Sequence, residues 1–281
     1  MKRMICLLLA LLLMLPALAV AEDEEELEIE ETTEGEVTET REAEWDFPVA
    51  LEDMKPEFVI LANKHYLLDE GFYVKPLVKV KKLKLNKDGS VKTAGVRWAV
   101  GSQMKLQEDC YKALIEMSDA AREDGYNLYL KSAYRSWKTQ NTMYKNRLKK
   151  NHGKDDGWVS KAGASDHQTG LGCDVIPKSW IKAAGMNSKM AKEPECQWMA
   201  EHCQEYGFIV RYPEDKEDVT EIHYEPWHMR YVGIPAATYI MENGLCLEEF
   251  NEQLQQAIGD YLDAGGDRKK VEAFIQKPSE E

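Results

Sequence analysis

The sequence predicts an α+β fold, a small antiparallel sheet flanked by helices, and three observations carry that expectation. Residues 103–124 place Cys110, Leu114, Met117 and Ala121 at the spacing of one helix face. Two short runs, Tyr126 to Lys131 with its alternating leucines and the β-rich Phe208-Ile209-Val210-Arg211-Tyr212, read as strands. Helices and strands then follow one another without βαβ regularity, which argues against a doubly wound parallel sheet.

The elements follow in chain order. Strand signals near 79–85 and 91–99 flank Asn86-Lys87-Asp88-Gly89 and suggest a hairpin. The helix over 103–124 stops at Gly125. Ser136 is the natural N-cap of a helix reaching about Lys150 and ended by Asn151-His152-Gly153. A further helix runs from about Pro194 to Tyr206 and is closed by Gly207, and Pro213 halts the strand after it. Residues 236–263 read as helical, packing behind the core. Trp137, Tyr144 and Trp198 occupy helix positions suited to core packing.

At roughly 100–200 residues per domain, 281 residues allow one or two domains, and 43% hydrophobic residues exclude wholesale disorder. The formal net charge of −14 belongs to one segment. Residues 22–46 hold 14 Asp and Glu against the single Arg41, so the body from residue 47 onward is close to neutral. That balance indicates no nucleic-acid partner and leaves room only for a local basic patch.

Met1-Lys2-Arg3, the apolar run Met4 to Ala21 and the small-x-small Ala19-Val20-Ala21 are the three parts of a secretory signal peptide. An uncleaved anchor is the alternative, since 18 apolar residues lie at the lower limit for a bilayer span. Membrane contact is expected only through that segment. The domain plan is therefore a signal peptide at 1–21, an acidic disordered linker at 22–46 and a folded domain at 47–281. The linker is Glu- and Thr-rich, with too few large side chains to offset chain entropy. Export permits disulfides, yet Cys110, Cys173, Cys196, Cys203 and Cys246 are odd in number and show no C-x-x-C pattern. Cys196 and Cys203 share one helix about 10 Å apart, beyond the roughly 7 Å limit for a bridge. The cysteines read as small buried residues.

Three segments carry chemistry: Ser132-Ala133-Tyr134-Arg135-Ser136, then Ser165-Asp166-His167-Gln168-Thr169-Gly170-Leu171-Gly172-Cys173-Asp174, then Tyr224-Glu225-Pro226-Trp227-His228-Met229-Arg230-Tyr231-Val232-Gly233. Imidazole and carboxylate suit Zn²⁺, whose catalytic sites use three protein ligands and one open position. His167 and Asp174 lie across a glycine turn, and His228 supplies a second imidazole near the carboxylate of Glu225. By residue type His223 is nearly as good a ligand as His228. For Glu225 and His228 to serve one site, the backbone must turn at Pro226-Trp227, because residues three apart on a strand face opposite ways. Arg230, an alternate strand residue, reads equally as a substrate contact or a surface ion pair.

Those three phrases, in that order, resemble the signature of the VanY-type D-alanyl-D-alanine carboxypeptidases, zinc peptidases of the M15B group related to the L,D-carboxypeptidases. The resemblance extends over roughly residues 55–250, with a motif core at about 103–235. It implies the small α+β fold shared by D-Ala-D-Ala peptidases and the hedgehog signalling domain. Position by position it implies one zinc ion per chain held by His167, Asp174 and His228, with Glu225 as catalytic base. It implies Arg135 as the group that polarises the scissile carbonyl, and Ser165 and Gln140 as residues that hold the terminal D-Ala. Ser136, capping the helix beside Arg135, is expected to contribute to binding the substrate carboxylate. Ala164, Gly172-Cys173, Glu221 and His223 depart from the usual pattern and bear on substrate preference.

The function so implied is that of an exported, wall-associated zinc metallo-carboxypeptidase, probing as a monomer a peptidoglycan stem peptide that ends in D-Ala. On the family's usual assignment the reaction expected is removal of D-Ala from the pentapeptide (D,D), with removal from the tetrapeptide (L,D) as the alternative. A zinc-stabilised binding module without catalysis is the reading from a different class, and intact Glu225 and Arg135 argue against it. The acidic linker reads as a spacer, so deletion of residues 22–44 is expected to leave turnover of a soluble peptide unchanged. A large loss in the purified truncated chain would contradict the spacer.

Overall fold

The structure, a computed structural model, describes residues 43–279. The signal-type segment and residues 22–42 of the acidic linker lie outside the described residues. The strands are β1 (Leu77–Lys79), β2 (Lys84–Leu85), β3 (Val91–Thr93), β4 (Arg97–Trp98), β5 (Lys105–Gln107), β6 (Tyr129–Ser132), β7 (Gly172–Ile176), β8 (Phe208–Val210) and β9 (His228–Tyr231). The helices are α1 (Glu108–Glu123), α2 (Trp137–Lys150), α3 (Pro194–His202), α4 (Glu217–Thr220), α5 (Ile234–Glu242), α6 (Leu247–Asp263) and α7 (Arg268–Val271). Among the described residues no helix is long and apolar enough to cross a membrane.

The α+β expectation holds. The central sheet has the order β4-β6-β7-β9-β8, antiparallel except where β4 joins β6 in parallel at one edge. The hairpin forms over β2 and β3 but is shorter than its strand signals. Residues 77–79 pair instead with β5, and Arg97-Trp98 joins the main sheet. Because Lys105–Gln107 is taken by that pairing, α1 begins at Glu108 and not at 103, with the Gln107 side chain accepting from the Cys110 N–H as its cap. Cys110, Leu114, Met117 and Ala121 are each at most 1% exposed, so the face read from the sequence is the buried one. The stretch 236–263 is two helices. Gly244 takes a positive φ after α5, and Glu249 caps the new helix by accepting from the Cys246 N–H at 2.9 Å.

One hydrophobic core lies between the sheet, α1 and α3, and includes Trp198. A second gathers α5, α6 and the chain from Trp45 to Leu61, where Trp45 meets Phe47 and Tyr261 edge-on. All five described cysteines are free and buried, in line with the sequence. Gly207 ends the turn after α3 with φ +78°, and a Cβ there would come within 2.8 Å of the Tyr231 ring. No other residue fits that left-handed, crowded position without strain.

Arg230 departs from both of its sequence readings. It is fully buried and, with the equally buried Arg211, grips the carboxylate of Asp166. Arg211 donates from Nε to Asp166 at 2.6 Å and clamps Glu248 of α6 with its two terminal nitrogens at 2.7 Å. Arg230 also donates to the carbonyls of Phe58 and Ile60. Burial would raise the Asp166 carboxyl, but the two guanidinium charges hold it below its ordinary value. Gly172 permits this approach, because a Cβ there would fall 2.8 Å from that of Asp166. Removing one partner of a buried pair strands the other charge, so Asp166→Ala is expected to lower stability by about 3–5 kcal/mol in urea denaturation of the full chain. A loss below about 1 kcal/mol would show that the network is solvated or replaceable.

Candidate active site

The sheet register builds the site. Asp174 of β7 lies directly opposite His228 of β9 and Ser132 of β6. Antiparallel partners share a face with Cβ atoms about 4.5–5.5 Å apart, so a carboxylate and an imidazole are brought side by side by pairing alone. His167 enters from the short turn Asp166–Gln168. Its Nδ1 lies 2.8 Å from the Ala133 carbonyl, which can only accept, so Nδ1 carries the proton and Nε2 keeps its lone pair. That Nε2 lies 3.3 Å from Asp174 Oδ2, and His228 Nδ1 lies 3.5 Å from Asp174 Oδ1.

Ligand atoms of the three residues fall within 4.8 Å of one another, and all three residues are buried. Zinc bonds of about 2.0–2.1 Å set tetrahedral ligands about 3.3–3.4 Å apart, close to the two imidazole–carboxylate separations. Two imidazoles and a carboxylate are also the donor chemistry that zinc takes. The carboxylates concentrate a negative field where such an ion would sit. Burial would lower His228, yet its hydrogen bond to Glu225 and the charges of Asp174, Glu225 and Asp166 hold its imidazole above the ordinary value. Burial and the nearby Arg135 push His167 down. Burial would raise Asp174, but the charge and hydrogen bond of His167, with His228 and Arg135, hold it well below the carboxylate range.

Glu225 reaches the same point because the chain turns at Pro226-Trp227, closed by the His228 N–H on the Glu225 carbonyl at 3.0 Å. Its Oε2 lies 3.2 Å from His228 Nδ1, and burial pushes its carboxyl up against the pull of His228. Arg135 follows β6. It donates to Gln140 Oε1 at 2.8 Å and Ser132 Oγ at 3.0 Å, and stands 3.9 Å from Asp174. Gln140 in turn donates to the Ser160 carbonyl at 2.7 Å, so its amide is engaged in holding the guanidinium.

A cleft of about 510 Å³ opens on these groups, and Arg135, Gln140, Ser165, His167, Asp174, Glu225 and His228 all line it. Ser136 does not line it. Its Oγ accepts from the Thr139 N–H at 3.3 Å and bonds the Thr139 hydroxyl, so this side chain caps α2 and is not directed to the cleft. His223 is also outside the ligand cluster, bonded to Glu217 of α4 at 3.0 Å and set against the Trp158 ring. Sequence reading missed Met143, Arg147, Trp158, Met186 and Tyr212 as cleft residues. For two of them a signal existed, since Met143 and Arg147 follow Gln140 by three and seven residues on one face of α2.

Known proteins of similar sequence and fold point to one family. The family model of VanY, D-alanyl-D-alanine carboxypeptidase, matches residues 103–234. The chain is 34% identical over 136 residues to the bifunctional D-Ala-D-Ala dipeptidase and D-Ala-D-Ala carboxypeptidase VanXYC of Enterococcus gallinarum, covering 48% of this chain and 72% of that one. Its fold resembles the LdcB LD-carboxypeptidase with a TM-score of 0.60 and 33% identity, over 70% of this chain and 87% of that one. It also resembles a vancomycin resistance D,D-pentapeptidase VanY in complex with Zn(II), with a TM-score of 0.50 and 28% identity, over 69% and 98% of the two chains. The chain spans about half the length, 52–55%, of the other curated relatives it matches.

The two histidines left open by residue type now separate. His228→Gln is expected to abolish binding of one divalent metal ion per chain, measured by elemental analysis after dialysis, whereas His223→Gln retains it. Loss in both, or in His223→Gln alone, would contradict the cluster.

Proposed function

The chain belongs to the VanY D-alanyl-D-alanine carboxypeptidase family, and from that premise we propose that it is an exported, zinc-dependent carboxypeptidase that trims terminal D-Ala from peptidoglycan stem peptides. The observation that carries this reading is the convergence of His167 Nε2, Asp174, His228 Nδ1, Glu225 and Arg135 on one cleft. Zinc bound by His167, Asp174 and His228 would supply Lewis acidity and a water of pKa near 7. The Zn(II) complex of the VanY structure that this fold resembles supports that choice of metal.

The chain's own groups divide the remaining work. Glu225 is half-buried and lines the cleft, and its raised carboxyl suits a group that accepts a proton and returns it to the departing D-Ala nitrogen. Arg135, pinned by Gln140 and Ser132, presents a fixed positive charge to the scissile carbonyl as negative charge grows there. The free carboxylate of the terminal residue needs a cationic environment, to which both arginines lining the cleft contribute, although Arg147 is also engaged with Asp156 at 2.6 Å. Ser165, another lining residue, is assigned to the carboxyl end, and the requirement for that free carboxylate makes the enzyme exo-acting. Ser136 contributes by fixing the start of α2.

A second reading has its own support. The LdcB structure resembled at the TM-score of 0.60 is an LD-carboxypeptidase, which fits action on the tetrapeptide. Incubating the zinc-loaded chain with pentapeptide and tetrapeptide, and following D-Ala by mass spectrometry, separates D,D from L,D action. D-Ala release is expected to stop with chelator, to fall about 10²–10⁴-fold in Glu225→Ala, and to fall sharply when the terminal carboxylate is amidated. No release from either peptide by the zinc-loaded chain would contradict the proposal in favour of a binding module. Equal rates on free and amidated ends would contradict exo action.

A further inference from the structure

Between Lys75 and Lys105 the chain carries eight lysines and Arg97 against one acid, Asp88. Lys79, Lys81, Lys82, Lys84, Lys87, Lys92 and Lys105 are all exposed, on β1, β5 and the β2–β3 hairpin with its flanks. Among the described residues none of these seven forms an ion pair. Asp88 is occupied, accepting from the Ser90 N–H at 3.0 Å and the Ser90 hydroxyl at 2.6 Å. The next acids along the chain, Glu108 and Asp109, are paired with Lys112 and Lys55.

Register adds a second observation. Across β1 and β5, Lys79 lies directly opposite Lys105. Such partners share a face, and like charges there destabilise the pair. The fold thus retains a repulsion that no carboxylate among the described residues relieves and that a bound anion would. A third observation lies beside Lys105. A cleft of about 410 Å³ is lined by Lys105, Lys131, Ser102, Ser132 and Tyr134, with no carboxylate among its lining residues.

We propose that β1, β5 and the β2–β3 hairpin form a docking surface for a linear phosphate polymer without bases, with the cleft between Lys105 and Lys131 seating one of its phosphates. Lysine ammonium groups are compact point charges that bind phosphate without demanding bidentate geometry. The cations are strung along a ribbon and do not converge on a point, which fits a chain of charges better than a single ion. Residues 77–93 contain no aromatic ring, and the one ring lining the cleft, Tyr134, packs edge-on against Tyr73, so the ribbon offers no row of platforms for successive bases, which disfavours single-stranded nucleic acid. The hairpin tip, Asn86 to Ser90, carries no apolar side chain to enter a bilayer, which disfavours a lipid surface.

The test uses the full zinc-loaded chain and long-chain inorganic polyphosphate, titrated by calorimetry over a range of salt. Affinity is expected to fall linearly with salt on a logarithmic scale. The variant K79Q/K81Q/K82Q/K105Q is expected to bind at least about tenfold more weakly, with the slope reduced by about 0.7 for each lysine removed. Its melting temperature and its activity on a small soluble peptide should match the wild type. K189Q/K192Q/K269Q/K270Q removes the same charge from exposed positions elsewhere and is expected to keep wild-type affinity. Equal weakening in both variants would reduce the effect to net charge and overturn the proposal. So would absence of binding at low salt, tighter binding to phosphatidylglycerol vesicles, or tighter binding to single-stranded DNA.

Discussion

The site rests on a charge that water never reaches. Asp166 is gripped by Arg211 and Arg230, all three fully buried, and Arg211 carries the grip on to Glu248 of α6. Each of these residues has a neighbour in the cleft. Asp166 precedes His167, Arg211 precedes Tyr212, and Arg230 follows His228 by two on β9. The carboxylate therefore ties the turn bearing one imidazole to the strand bearing the other. Desolvation makes each member expensive to bury alone, so the set is stable only when complete. A chain that builds this arrangement fixes the relative positions of its ligand-bearing segments before any metal binds.

On that frame the register does the finer placement. Asp174 opposite His228 brings two ligand side chains together by backbone pairing, and the turn at Pro226-Trp227 swings Glu225 onto the same face. Arg135 reaches the cleft from the end of β6 and is steered by Gln140 one turn into α2. Five side chains from three segments of the chain thus meet within one cleft. The local field comes from charges that line the cleft, among them Arg135, Asp174 and Glu225, and the net charge of −14 says nothing about it.

Much of this was legible in the sequence, for physical reasons that also mark the failures. The buried face of α1, the Ser136 cap and the turn at Pro226 follow from local periodicity and local sterics, and they stand. His167, Asp174 and His228, which converge here, sit in phrases that resemble a known family, and that resemblance, not their spacing, named them. What failed depends on partners far along the sequence. Arg230 read equally as a substrate contact or a surface ion pair because its counter-charge, Asp166, is 64 residues away. Residues 103–107 looked helical until β1 supplied a strand partner. Ser136 looked like a substrate contact because its side chain's commitment to the Thr139 N–H is a matter of rotamer, which spacing does not reveal. The lysine ribbon was visible as composition, but only the register of Lys79 against Lys105 gives it an energetic meaning.

The central claim is a two-imidazole, one-carboxylate zinc centre, and X-ray absorption at the zinc edge of the full chain tests it most directly. The account predicts nitrogen and oxygen neighbours at about 2.0–2.2 Å, with imidazole scattering from two ligands and no sulfur. A sulfur shell at about 2.3 Å would bring a cysteine such as Cys173, beside Asp174, into the coordination sphere and contradict the account.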